Sequence, residues 1–414
     1  MQTILMATKY YPAALPAQAL ESPSKEGYNV PVGYLRAFLT LLVLAHHSIL
    51  AYCSFAPPPP HSLLPEPRWW EAFPVTDTHR WPGFDLLVAF NDVFFMSAMF
   101  LISGLFVWGS LQRKGTAGFL RDRSLRLGIP FLLAAAIIPP LAYFPTYLTT
   151  GAEANLGGFF KQWLALGQWP AGPAWFVWLL LAFDCAVAIA FLIAPKWGGD
   201  LGRRISGTFS RPASFFGLLV VLSAVAYIPM SLAFNALSWT TFGPFAFQTS
   251  RLFLYALYFL LGVALGAWGI ERGLLRNDGR LAQHWLRWLL IALLAFALDV
   301  TLGLMALSAH TAPQMWTAIT GFAFVLSCAA STLAFVALFG RFAVKRVRVL
   351  DSIRDNAYGM YLIHYAFAAW LQYLLLRAAL PGIAKGSLVF AGTVLLSWGA
   401  TPALRSIPVV RRVL

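Results

Sequence analysis

Charge is scarce in this chain. Of its 414 residues only 11% are Asp, Glu, Lys or Arg, where a soluble domain carries roughly 25%, so a surface facing water on all sides is excluded. Acids are the rarer sign, 16 against 30 Lys and Arg. Cysteine is rarer still. Cys53, Cys185 and Cys328 all fall in apolar runs without metal-ligand spacing, which excludes a disulfide framework and a zinc site. Strict apolar–polar alternation is missing, which argues against a β-barrel. Residues 1–30 are mixed and broken by proline, with no clean apolar core of a cleavable signal. Internal repeats, a low-complexity tail and a separate soluble domain are absent as well.

What is abundant is apolar sequence, 59% of the chain. A hydrocarbon core about 30 Å thick needs about 20 helical residues, and ten runs of that order are present: 32–54, 85–109, 127–148, 173–194, 213–233, 250–270, 286–308, 315–340, 355–379 and 386–404. The expected fold is all-α, a polytopic membrane helix bundle. With the amino terminus inside, 23 basic residues fall in inner segments and four, Arg68, Arg80, Lys161 and Lys385, in outer loops. Basic residues gather in short cytoplasmic loops, so both termini are expected to be cytoplasmic. The expected organisation is a cytoplasmic segment over 1–31, one membrane domain over 32–404 and a short basic tail over 405–414, in the inner (plasma) membrane. The same topology accounts for the net charge of +14 without a nucleic-acid partner.

The first run carries Arg36 and His47 at membrane depth, where ionisable groups are expensive and face a bundle interior or a cavity. Eleven helical residues place them on one face, about 20° out of register and about 16 Å apart along the axis. His46 points elsewhere. Arg36 either snorkels to cytoplasmic headgroups or contacts a phosphate or carboxylate through its planar fork. His47 either bonds a neighbour or acts as a general base on a hydroxyl, for which an orienting carboxylate is wanted. Asp92 on the second run lies at nearly the depth of His47 and is the first candidate; Asp85, Asp184 and Asp299 are the others.

Beyond the second run, Gln112 to Leu127 is expected to be a cytoplasmic connection. Positive-inside topology explains most of its charge, yet Arg123 and Arg126 are spaced to line one mouth that suits a polyphosphate. Ser103, beside Gly104, reads as a small packing residue before it reads as a nucleophile. The long outer connection, roughly 55–84, opens with Pro57 to Pro60, which keep it extended. Its Trp69, Trp70 and Trp81 suit either interfacial anchoring or carbohydrate contact.

Six motifs in order resemble acyltransferase family 3: Arg36-x10-His47, Met96-Ser-Ala-Met-Phe-Leu-Ile-Ser103-Gly104, Arg123-Ser-Leu-Arg126-Leu-Gly-Ile-Pro130, Trp175-Phe-Val-Trp178, Tyr258-Phe-Leu-Leu-Gly262 and Tyr358-Gly-Met-Tyr-Leu-Ile-His364-Tyr. The resemblance implies an O-acyltransferase taking an acetyl or succinyl group from cytoplasmic acyl-CoA, a donor substrate rather than a resident cofactor, to a hydroxyl of a glycan or similar acceptor at the outer face. It carries the family's arginine and histidine onto Arg36 and His47 and its loop arginines onto Arg123 and Arg126. The stretch around His364, a secondary candidate, is similar to members that modify glucans or exopolysaccharides, for example by succinylation. One departure is plain: Val32-Gly33-Tyr34-Leu35 supplies no acid before Arg36, where many members have an Asp.

The expected mechanism is a handover across the membrane, with CoA phosphates at Arg36, Arg123 and Arg126 and His47, oriented by Asp92 or another acid, activating the acceptor. The alternative class is a multispan transporter or flippase of a glycan, lipid or small anion, which would not need the spacing of Arg36 and His47. No paired short, broken helices suggest its inverted repeats.

Overall fold

The computed structural model describes residues 29–309, 311–411 and 413. The segment expected over 1–31 therefore lies, up to residue 28, outside the described residues.

Helix α1 spans Val30–Ile49. It starts where it does because the Asn29 side chain accepts from the Val32 amide and Pro31 occupies the first turn, both start signals of a helix. α2 is Pro82–Gly104. Next come α3, Val107–Arg123, a π-helical segment, Ser124–Gly128, and α4, Ile129–Thr149. Then follow α5, Leu156–Ala165, α6, Trp175–Ile193, α7, Trp197–Phe209, and α8, Pro212–Phe234. An antiparallel hairpin joins β1, Trp239–Phe242, to β2, Phe245–Gln248. The chain continues through α9, Leu252–Trp268, the single turn α10, Arg280–Gln283, α11, Trp285–Ser308, α12, Pro313–Phe342, α13, Arg348–Leu375, α14, Gly382–Arg405, and α15, Pro408–Arg411. With 77% helix and one short hairpin, the fold is an all-α bundle.

Among the described residues nine helical stretches are long and apolar enough to cross a membrane. Nine of the ten expected runs fall on them. The tenth, 355–379, falls on α13, which begins earlier, at Arg348, and buries Arg354, Asn356, His364 and Gln372 along its length. It packs between α1, α4 and α14, so protein rather than lipid meets its polar face. The connection expected over Gln112 to Leu127 is largely helical: α3, broken at Gly115 where φ is 67°, leads through the π-segment into α4. α7 was also unforeseen. Trp197, Leu201, Ile205 and Phe209 recur every fourth residue and pack on the core, with Arg203 and Arg204 exposed opposite, the pattern of an amphipathic helix at an interface.

α2 and α9 set the tightest crossing. A β-carbon at Gly104 would run into the Phe259 carbonyl and one at Gly262 into that of Leu101, so only glycine permits this approach. The outer loop is held down by buried groups. Lys385, counted among outer cations, is fully buried and bonds Asp77 at 2.7 Å. Of the three loop tryptophans, Trp70 is buried edge-on to Tyr143, with ring centroids 5.0 Å apart, while Trp69 and Trp81 are exposed.

Candidate functional site

His47, two residues before the end of α1, faces α13. Its Nδ1 lies 2.9 Å from the Val43 carbonyl oxygen and 3.2 Å from His364 Nε2. His364 Nδ1 in turn lies 2.6 Å from the Tyr361 carbonyl oxygen. A carbonyl only accepts, so in the neutral pair His364 Nδ1 carries the hydrogen and its Nε2 offers a lone pair. His47 Nδ1 meets two acceptors and therefore donates, which leaves the lone pair on His47 Nε2. That nitrogen has no hydrogen-bond partner among the described residues. Tyr365 packs edge-on against His47 at 5.2 Å, and Gln372 Nε2 donates to the His47 and Ser48 carbonyls at 2.8 and 3.0 Å. His46 faces the other way, stacked on Phe95 of α2 at 5.4 Å.

The expectation that Asp92 orients His47 is corrected. Its carboxylate is taken by Arg251, at the end of the 3-10 turn Thr249–Arg251, with Nη1 to Oδ1 at 3.0 Å and Nη2 to Oδ2 at 2.6 Å. The other candidate acids do not touch His47 either. Asp85 accepts from the Ser54 amide at 2.8 Å. Asp184 is buried 3.2 Å from Arg123. Asp299 lines a second cavity of about 430 Å³, between α8, α11 and α12, with Arg251 and Tyr227. Depth matched Asp92 to His47, but azimuth separated them: His46 turns toward α2 and His47 toward α13.

At the opposite end of α1 lies a larger cavity of about 590 Å³. It brings together Arg36, Ser103, Arg123 and Arg126, four of the expected residues. Its wall holds eight Lys and Arg side chains against two acids, Asp122 and Asp355. Some of this charge is paired: Lys114 with Asp122, Arg123 with Asp184, and Arg354 with Asp351 at 2.5 Å and Asp355 at 2.7 Å. Arg36, Arg113 and Arg126 have no ion-pair partner among the described residues. The π-segment presents Arg126; Tyr358 of α13 pins it by donating to the Arg126 carbonyl at 2.6 Å. π-Segments recur at functional sites because they re-aim side chains within a helix. Ser103 makes no hydrogen bond to a histidine or carboxylate and sits beside the α2–α9 glycine crossing. Thr40, Met99, Phe176 and Tyr361 also line it, and neither histidine does.

Among the described residues, an imidazole with an unpartnered nitrogen and a cavity containing arginines without an ion pair thus lie towards the two ends of α1. The family model described as an acyltransferase domain matches residues 32–401. The chain belongs to acyltransferase family 3. As a member it is a membrane acyltransferase, and the shared domain contains both histidines and every cavity arginine except Arg405 and Arg411. No curated protein and no solved structure matches the chain.

Above His47 the outer loop supplies Glu71, whose carbonyl accepts from Tyr143 at 2.7 Å and Tyr365 at 3.1 Å. Its carboxylate accepts from Gln168 at 2.5 Å, and burial pushes it up to about 7. Sequence reasoning missed Glu71 and Arg251, and it left His364 as secondary. The signal for His364 was available: Tyr361, His364, Tyr365 and Gln372 recur at three, four and seven residues in an otherwise apolar helix, one polar face.

Proposed function

We propose that this acyltransferase takes acyl-CoA at the Arg36 end, which is cytoplasmic, and delivers the acyl group to a hydroxyl of a glycan or similar acceptor at the His47 end, in the inner (plasma) membrane. The observation that carries this reading is the pair of sites on one helix. Arginines without counter-ions suit CoA phosphates, and an imidazole with a free lone pair lies about 16 Å further along α1, a reach comparable to a pantetheine arm. His47 Nε2 removes the acceptor proton as the hydroxyl oxygen attacks the thioester carbonyl. The carbon–sulfur bond then breaks, and the thiolate leaves with the proton from His47. While His47 is protonated, its Nδ1–H stays directed at His364 Nε2 and the Val43 carbonyl, so His364 does the orienting work expected of Asp92. Ser103 has no base beside it, which favours direct transfer. The family assignment favours this reading over a transporter. Purified protein with acetyl-CoA and succinyl-CoA tests it: transfer to a glucan acceptor should be saturable in one donor and abolished by His47→Ala. A folded protein that binds neither thioester overturns it.

A further inference from the structure

One side chain belongs both to the lining of the arginine cavity and to the surroundings of the histidine pair. Tyr361 lines the cavity, is 5% exposed, and donates its hydroxyl to the Pro173 carbonyl in the turn Gly172–Ala174. The ring thus bridges from α13 to the start of α6, edge-on to Phe176 at 5.9 Å. Its other neighbour is the His364 ring, also 5.9 Å away. On one side lie the arginines; on the other, three residues or about 4.5 Å further along α13, lies the histidine pair. On α1 the cavity reaches Thr40, seven residues or about 10 Å short of His47. The turn receiving the hydroxyl is itself fitted to α13. Gly172 has a φ of 54°, and a β-carbon there would approach the Tyr365 ring to 3.2 Å.

Resting on the proposed reaction, we propose that Tyr361 is a partition between the donor cavity and the histidines, and that it decides how the acyl group is divided between the acceptor and water. A base that takes a proton from a hydroxyl takes one equally well from water. Water attacking the thioester gives a carboxylic acid and free thiol; the acceptor gives an ester and the same thiol. A basic cavity open to solvent would feed the first reaction continuously. With the phenol held on Pro173, His47 meets the donor side only when the acyl arm displaces the ring, and the arm then fills the passage. One hydrogen bond to a backbone carbonyl is a fitting latch, since it is broken without leaving a buried charge.

The test uses the full chain in nanodiscs, with Tyr361→Phe, which keeps the ring and loses the latch, and Tyr361→Ala, which removes the partition. The proposal expects thioester hydrolysis without acceptor to rise severalfold in Tyr361→Ala and less in Tyr361→Phe, with a falling ratio of transfer to hydrolysis. Adding His47→Ala should abolish the extra hydrolysis. A second arm is independent of the donor's identity: carbethoxylation of His47 and His364 by diethyl pyrocarbonate, read by mass spectrometry, should be slow in the wild type and fast in Tyr361→Ala. Equal labelling of wild type and both folded variants overturns the partition. Unchanged hydrolysis with accelerated labelling overturns the division of the acyl group between acceptor and water. If no protein binds or hydrolyses acyl-CoA, the proposed donor fails while the labelling arm still decides the partition.

Discussion

Two cavities among the described residues contain arginine. In the cavity of about 590 Å³, Arg36, Arg113 and Arg126 keep their charge without an ion pair. In the cavity of about 430 Å³, Arg251 gives both amino nitrogens to Asp92. A charge at depth is expensive in either place. The difference is what compensates it: in the second cavity Asp92 of the same chain does so, while in the first no acid among the described residues pairs with these three arginines. Ionisable residues inside a membrane helix therefore divide into those that hold helices in register and those that wait for a substrate, and only neutralisation tells them apart.

The largest test of this contrast is at the base. His47→Ala should lower transfer by about 10² to 10⁴, the usual worth of general-base catalysis, while His46→Ala keeps most of the activity. Single-turnover assays on folded protein check this, and an inactive His46→Ala beside an active His47→Ala would break the assignment of faces. Next is Arg251→Met, which leaves the Asp92 carboxylate without its partner. Arg251 is buried but the Asp92 side chain is 43% exposed, so the cost stays below about 3–5 kcal/mol, that of breaking a fully buried pair; folded yield and melting temperature should fall while turnover per folded molecule stays near wild type. Unchanged melting with lost turnover would move Asp92 and Arg251 into the chemistry. Arg126→Ala should raise the donor KM about tenfold, the loss of one charge-assisted contact, with little change in acceptor KM. An effect confined to the acceptor would put the arginines at the wrong end.

The smallest effect belongs to Glu71. Its carboxyl is raised to about 7 from an ordinary Glu value of about 4.3, so the folded state holds the proton more tightly than the unfolded chain does. Its contribution to stability is present below about pH 4.3 and is lost as pH rises through about 7. A melting temperature about 1–2 °C higher at pH 5 than at pH 8 should become flatter in Glu71→Gln, measured by differential scanning fluorimetry.

What could be read from sequence follows the same division. Arg36 and His47 lie on one rigid helix, where spacing alone determines angle and rise, and the structure places Arg36 in a cavity of basic residues and His47 against His364. Arg123 and Arg126 were legible as a pair because they are near in sequence, although the π-segment presenting them was not. Asp92 was misjudged because matching depth on two helices says nothing of their relative rotation. Arg251, one residue inside an expected span, went unread, because only the fold brings Asp92 to it. In α13 the run 355–379 was legible as a helix, but the partners of its polar face were not, because they come from its burial among α1, α4 and α14.

That helix carries four appointments along one side: Tyr358 on the Arg126 carbonyl, Tyr361 on Pro173, His364 on His47 and Gln372 on the end of α1. Mechanically it is a camshaft. A turn of α13 about its own axis would shift the arginine-bearing π-segment, the Pro173 turn and the His47 imidazole together, so the arginine cavity and the histidine pair are mechanically coupled.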